Sequence, residues 1–118
     1  MKGILVKTTG EIQEIEVGTL PWEAISILLG KNIAVMQTDR LEDPYCLISN
    51  IDFALKGAPE NAIGCYLAEE EVYGNAVILK SNESDGESEF IGLDDDDVIE
   101  LAFILDDVMQ ELEKKEAV

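Results

Sequence analysis

Apolar residues recur at steps of three and four through the last quarter of the chain. In Asp94 to Lys115, Val98, Leu101, Ala102, Leu105, Val108, Met109 and Leu112 share one side of a helix of 3.6 residues per turn. Asp106, Asp107, Gln110, Glu111 and Glu113 lie largely off that stripe, and Phe103 and Ile104 border it and widen it. Asp94 is placed to cap the helix, and Asp97, three residues on, to answer it as in a capping box. Asp94 to Asp97 at the positive end of the helix dipole, with Lys114 and Lys115 at the negative end, suit the macrodipole. The pattern predicts one long amphipathic helix.

Upstream the period shortens to two. Gly3 to Lys7 reads as a strand, Thr8-Thr9-Gly10 as a turn and Glu11 to Val17 as the returning strand of a hairpin. Ile15 and Val17 keep the alternation but Ile12 is out of phase, and a bulge near Gln13 would reconcile them. Thr19 caps a short helix from Leu20 to Leu29, with Pro21 in its first turn, Leu20, Ala24, Ile27 and Leu28 as its buried side, and Gly30 as its stop. Asn32 to Gln37 and Tyr45 to Ser49 are strands joined by a polar loop of a length that suits antiparallel pairing. Asn50 to Asn61 has no clear period and reads as an irregular crossing segment with a short strand at Phe53 to Leu55. Ala62 to Leu67 is ambiguous. Val72 to Lys80 is apolar on both sides and reads as a central strand. Ser81 to Ser88 is a polar loop, and Glu89 to Leu93 pairs back as the last strand.

These elements predict a single α+β domain over residues 1–118: an antiparallel or mixed sheet of about five to six strands, with one short helix and one long C-terminal amphipathic helix on one face. No internal repeat is evident. A hydrophobic content of 47% in 118 residues is enough for a core, so the acidity does not signal a disordered tail.

Charge then changes the picture. The net charge is −18 and unevenly spread: residues 1–68 hold nine acids and five bases (−4), residues 69–118 seventeen acids and three bases (−14). Such a field repels nucleic acid and anionic membrane and attracts basic partners or cations. The chain has no histidine and two cysteines, Cys46 and Cys65, which removes the ordinary zinc spacings and all histidine-based acid–base or triad chemistry. Both cysteines read as small buried apolar residues. Met1 to Thr9 has no sustained apolar run and no stretch approaches the ~20 apolar residues of a membrane span, so a soluble protein of a reducing cytoplasm is expected.

No nucleophile elbow, phosphate-cradling loop or Cys–His pair exists, and the acids of the loops (Asp39, Asp43, Asp52, Glu60) are scattered; no enzyme, cofactor or metal is expected. The acidic setting of Asp85-Gly86 fails the EF-hand register, because with Gly86 at loop position six Gly92 falls where a bidentate Glu is required. The acids fit a different task. A dense row of carboxylates can occupy the basic groove of a nucleic-acid-binding protein, whose Lys and Arg respond to carboxylate at a distance as they do to phosphate. The candidate partner-binding residues are Glu69, Glu70, Glu71, Glu87, Glu89, Asp94, Asp95, Asp96, Asp97, Asp106, Asp107 and Glu111. On this reading the protein binds a basic host protein, and neither nucleic acid nor membrane directly. A second reading is a small-ligand site for a nucleotide or metabolite built from Tyr45, Asn50, Asn61, Tyr66, Tyr73 and Asn75. A third is a homodimer through the C-terminal helix.

Val72-Tyr73-Gly74-Asn75-Ala76-Val77-Ile78, an acidic loop, Gly86-Glu87, Phe90-Ile91-Gly92-Leu93 and the run of Asp that opens a helix together resemble the phage and plasmid family catalogued as domain of unknown function 3846. Leu20 to Val35 and Gly57, Pro59-Glu60-Asn61 fit the same pattern, so the resemblance covers residues 1 to about 100. It implies a small protein of a phage or mobile element, in a setting where acidic proteins disarm host defences. It carries over no catalytic residues.

Overall fold

The computed structural model describes residues 2–18, 21–30, 33–36, 45–50, 52–53, 56–84 and 87–116, without the side chains of 21–22, 34–36, 81–90 and 115–116. The elements run β1 (Lys2–Val6), β2 (Ile12–Glu16), α1 (Pro21–Leu29), β3 (Ile33–Met36), β4 (Tyr45–Asn50), α2 (Ala62–Ala68), β5 (Ala76–Ser84), β6 (Glu87–Ile91) and α3 (Asp95–Glu116). The strands form one six-stranded sheet, ordered β2-β1-β5-β4-β3, with β6 also paired to β5. Every described pairing is antiparallel. β5 is the hub: its first half lies between β1 and β4, and its second half pairs with β6. The polar run after Lys80, expected to be a loop, extends β5 to Ser84 and begins β6 at Glu87. Ladder pairing overrides its low β propensity. After β6 the chain turns back to β1, where Leu93 exchanges both backbone hydrogen bonds with Lys2, at 3.0 and 2.7 Å.

Both faces of the sheet are covered. Ile4 and Val6 of β1, Tyr45 and Leu47 of β4, and Ala76 and Ile78 of β5 point to one face, where α2 and α3 supply Ile63, Leu67, Leu101, Leu105 and Val108. The intervening residues Leu5, Cys46, Ile48, Val77 and Leu79 point to the other, against Ile25 and Leu29 of α1. The expectation that both helices share a face is therefore wrong. The unbroken apolar run Ala76 to Leu79 records two covered faces, with alternate side chains entering two separate cores. The same fact removes the bulge near Gln13. β1 and β2 pair in regular register from Lys2–Glu16 to Val6–Ile12. Ile12 points to the α3 side with Ile4 and Val6, whereas Ile15 packs into the α1-side core.

α1 also sits differently from its expected face. Ile25 and Leu29 are buried and Ala24 packs beside them, while Ile27 is 85% exposed and Leu28 is exposed. Gly30 ends the helix as expected, with φ +86° and its N–H on Ser26 O at 2.9 Å. The described residues hold a second short helix, α2, where the chain was ambiguous. Asn61 caps it, accepting from Gly64 N–H at 2.9 Å, and Glu69 closes it in the left-handed region at φ 57°. Gly64 hides the helical pattern and is also required by it, because a Cβ there would stand 2.9 Å from Val72 Cγ1. Phe53 lies in a turn, and Ala54 and Leu55 of the short strand expected there lie outside the described residues.

Candidate partner-binding surface

α3 is anchored at its first turn by the predicted reciprocal cap. Asp97 N–H donates to Asp94 Oδ1 at 2.9 Å and Asp94 N–H to Asp97 Oδ2 at 3.0 Å. The same Asp97 carboxylate meets Lys80 Nζ at 2.7 Å. Tyr45 Oη lies 2.8 Å from Glu100 Oε2 and 3.1 Å from Asp97 Oδ1, so one phenolic proton serves two carboxylates. Burial, then the hydrogen bonds to Glu100 and Asp97, push the Tyr45 phenol well above its ordinary value. Burial opposes ionisation of Asp97, but Lys80, the Asp94 N–H and Tyr45 together outweigh it and hold the carboxyl below its usual range. Asp97 is thus turned inward, its side chain 14% exposed, and serves the fold rather than the outer surface. Lys80 and Tyr45 were not marked for this role by any local pattern. Only their cross-strand pairing brings them together.

Beyond the first turn the exposed side of α3 has a definite arrangement. With 3.6 residues per turn, Asp95, Asp106 and Glu113 fall on one flank, and Asp96, Asp107 and Glu111 on the other. Between them, directly opposite the core, stand Ile99 and Phe103, 58% and 71% exposed. Two acidic rows thus frame an apolar ridge. Gln110 Nε2 donates to Asp106 at 3.0 Å, and Lys114 meets Glu111 at 3.5 Å. Glu69, Glu70 and Glu71 are exposed at the other end of α2. Glu87 and Glu89 lie in β6, and their side chains fall outside the described residues.

On the flank that carries Asp95 and Asp106, α3 and the β1–β2 hairpin leave a groove of about 310 Å³. Ile4, Ile12, Val98, Ala102, Leu105 and Met109 line it, with the carboxylates of Glu14 and Asp106. It exists because α2 packs beside α3 toward β4, while nothing among the described residues packs beside α3 toward β2. Lys2 bridges hairpin and helix at one end, 3.6 Å from Glu14 and 3.1 Å from Asp95. Ile12, whose phase in the sequence suggests a bulge, forms part of the groove floor.

The residues considered for a small-ligand site do not all come together: Asn61 lies against the Tyr73–Asn75 segment, but Tyr45 and Asn50 lie elsewhere. Tyr45 is engaged at the start of α3, and Asn50 sits on the opposite face, its amide donating to Leu29 O and its Oδ1 accepting from Asp52 N–H. Asn61 is fully buried and donates to Val6 O and Gly74 O, both at 3.0 Å. Tyr66 packs against the α3-side core, and Asn75 accepts from Thr8 N–H. Tyr73 is half-buried, its phenol raised by the charge of Glu71 and then by burial. Cys46 is buried, which pushes its thiol up to about 11. Cys65 is half-buried, between the N–H and C=O of Val72. Among the described residues no group of three or more Cys, Asp or Glu is placed to hold a metal ion, and no helix is long and apolar enough to cross a membrane.

No family model and no curated protein sequence matches the chain. Among solved structures, the chain is similar to the small RNA methyltransferase HEN1, with a TM-score of 0.54 and 11% identity over 82% of this chain. The match spans 15% of that protein's length. At that identity, the match shows a likeness of fold alone.

Proposed function

We propose that this chain is a non-enzymatic binding protein whose acidic C-terminal half engages a basic, nucleic-acid-binding protein. The observation that carries this reading is the exposed side of α3, where Asp95, Asp106 and Glu113 and Asp96, Asp107 and Glu111 flank the exposed Ile99 and Phe103. Carboxylates in rows steer and orient a basic surface, and a central apolar residue in a charged surround is the usual anatomy of a binding hot spot. The motif resemblance adds to this proposal an origin in a phage or mobile element.

The test uses protamine, a basic nucleic-acid-packing protein, as the probe. Asp95→Lys with Asp96→Lys, and separately Asp106→Lys with Asp107→Lys, are expected to weaken binding at least ~10-fold at physiological salt. Binding of the parent chain should fall steeply as salt is raised. Affinity that survives both double reversals unchanged would overturn the reading. The exposure of Phe103 also supports a second reading, a homodimer through α3. A mass in sedimentation equilibrium that stays monomeric across concentrations removes it.

A further inference from the structure

The acidic rows account for attraction, and the groove beside them defines what is attracted. We infer that the groove between α3 and the β1–β2 hairpin seats the apolar side of a basic amphipathic helix from the partner protein. This deepens the reading above and rests on it. On α3 the groove is lined by Val98, Ala102, Leu105 and Met109, spaced by four, three and four residues. It therefore runs along the helix for three turns, roughly 16 Å at 1.5 Å per residue. A trough of that length and volume receives side chains placed at i, i+3 or i+4, and i+7, the spacing of a helix laid into a groove. The floor is aliphatic, from Ile4, Ile12 and Leu105, and Ala102 leaves room where a longer side chain would close the trough.

The charge around the groove selects the occupant. Glu14 and Asp106 line it, and Asp95 and Glu113 stand on the same flank of α3. The base at this end is Lys2, already shared between Glu14 and Asp95. A second copy of this chain would bring the same acids to the same groove and be repelled, whereas Lys and Arg beside the apolar anchors of a partner helix meet carboxylates on both sides. Apart from carboxylates, no side-chain polar group among the described residues lines the groove to orient a small polar ligand.

The experiment uses two fluorescein-labelled peptides of identical composition, rich in Leu and Lys. One places Leu at i, i+4 and i+7 over about four turns, and the other is scrambled so that no stripe forms. The striped peptide is expected to bind the full chain at least ~10-fold more tightly than the scrambled one. It should shift the amide resonances of Ile12, Glu14, Val98 and Ala102. Ala102→Trp, at an exposed helix position, fills the trough and should bring the striped peptide down to the scrambled level, with the fold checked by circular dichroism. Equal affinity for both peptides, or resonance shifts confined to the outer acids, would overturn the groove assignment. If Asp106→Lys with Asp107→Lys weakens both peptides while Ala102→Trp weakens neither, the groove inference fails and the acidic-surface reading stands. If the charge reversals also change nothing, both fail. Dimerisation of the parent chain that Ala102→Trp abolishes would overturn the inference in favour of self-association.

Discussion

Asn61 shows how much one side chain can hold. Its carbonyl oxygen caps α2, and its amide donates to Val6 O at the end of β1 and to Gly74 O ahead of β5. It is fully buried, so no water replaces these contacts. Asn61→Ala leaves two carbonyls without these donors and a helix without its cap. The expected loss is about 3 kcal/mol, read as a lower urea midpoint with an unchanged slope. Asn61→Asp keeps the cap acceptor but loses the amide donors, and should be no more stable than the alanine variant. A loss below about 1 kcal/mol in Asn61→Ala would show that the two carbonyls find other donors. In the sequence Asn61 read as the end of an irregular crossing segment and as a candidate small-ligand residue. Its cap role was visible in principle, but its two donor bonds span separations no local pattern encodes.

At the scale of elements, the first turn of α3 joins cap, sheet and ion pair. Asp97 has a depressed carboxyl pKa in the fold, so its stabilisation is complete above the ordinary aspartate range and fades as pH falls through the lower folded value. Lys80 is raised, first by its hydrogen bond to Asp97, and its contribution is lost only as pH climbs above the ordinary lysine range. Asp97→Asn should therefore be about 2 kcal/mol less stable than the parent at neutral pH. The gap should close as pH is taken below the carboxylate range, measured by chemical unfolding across a pH series. A pH-independent gap would point to lost packing rather than lost charge. The cap at Asp94 and Asp97 was legible because capping is local, as were α3, the β1–β2 hairpin and the central position of β5. The face of α1, the covering of both sheet faces and the length of β5 were not. Each depends on which strands become neighbours, and an apolar run such as Ala76 to Leu79 does not say what lies above and below it. The candidate surface was legible as charge, whereas the inward turn of Asp97 and the groove floor at Ile12 needed the sheet.

For the molecule as a whole, a charge of −18 sets the working conditions. Like charges concentrated in the C-terminal half oppose the compact state, and salt within a short Debye length relieves that opposition. Among the described residues, the exposed pairs Lys2–Asp95, Lys2–Glu14, Lys7–Glu11 and Lys114–Glu111 are too few and too solvated to reverse the balance. Raising sodium chloride from low ionic strength to about 0.5 M is expected to raise Tm by about 3–5 °C. A fall in Tm would mean that the exposed pairs outweigh repulsion.

β5 has a consequence for the order in which the protein is made. Two hairpins, β1–β2 and β3–β4, are complete by Asn50, yet among the described residues they are joined in the sheet through β5, which ends at Ser84. On the ribosome the nascent chain therefore presents two separate ribbons until the hub strand has left the exit tunnel, and α3 closes the larger core later still. Pairings across such separations are slow to find. Assembly of the sheet therefore waits on the hub strand, and the strongly charged helix that closes the larger core follows it in the chain.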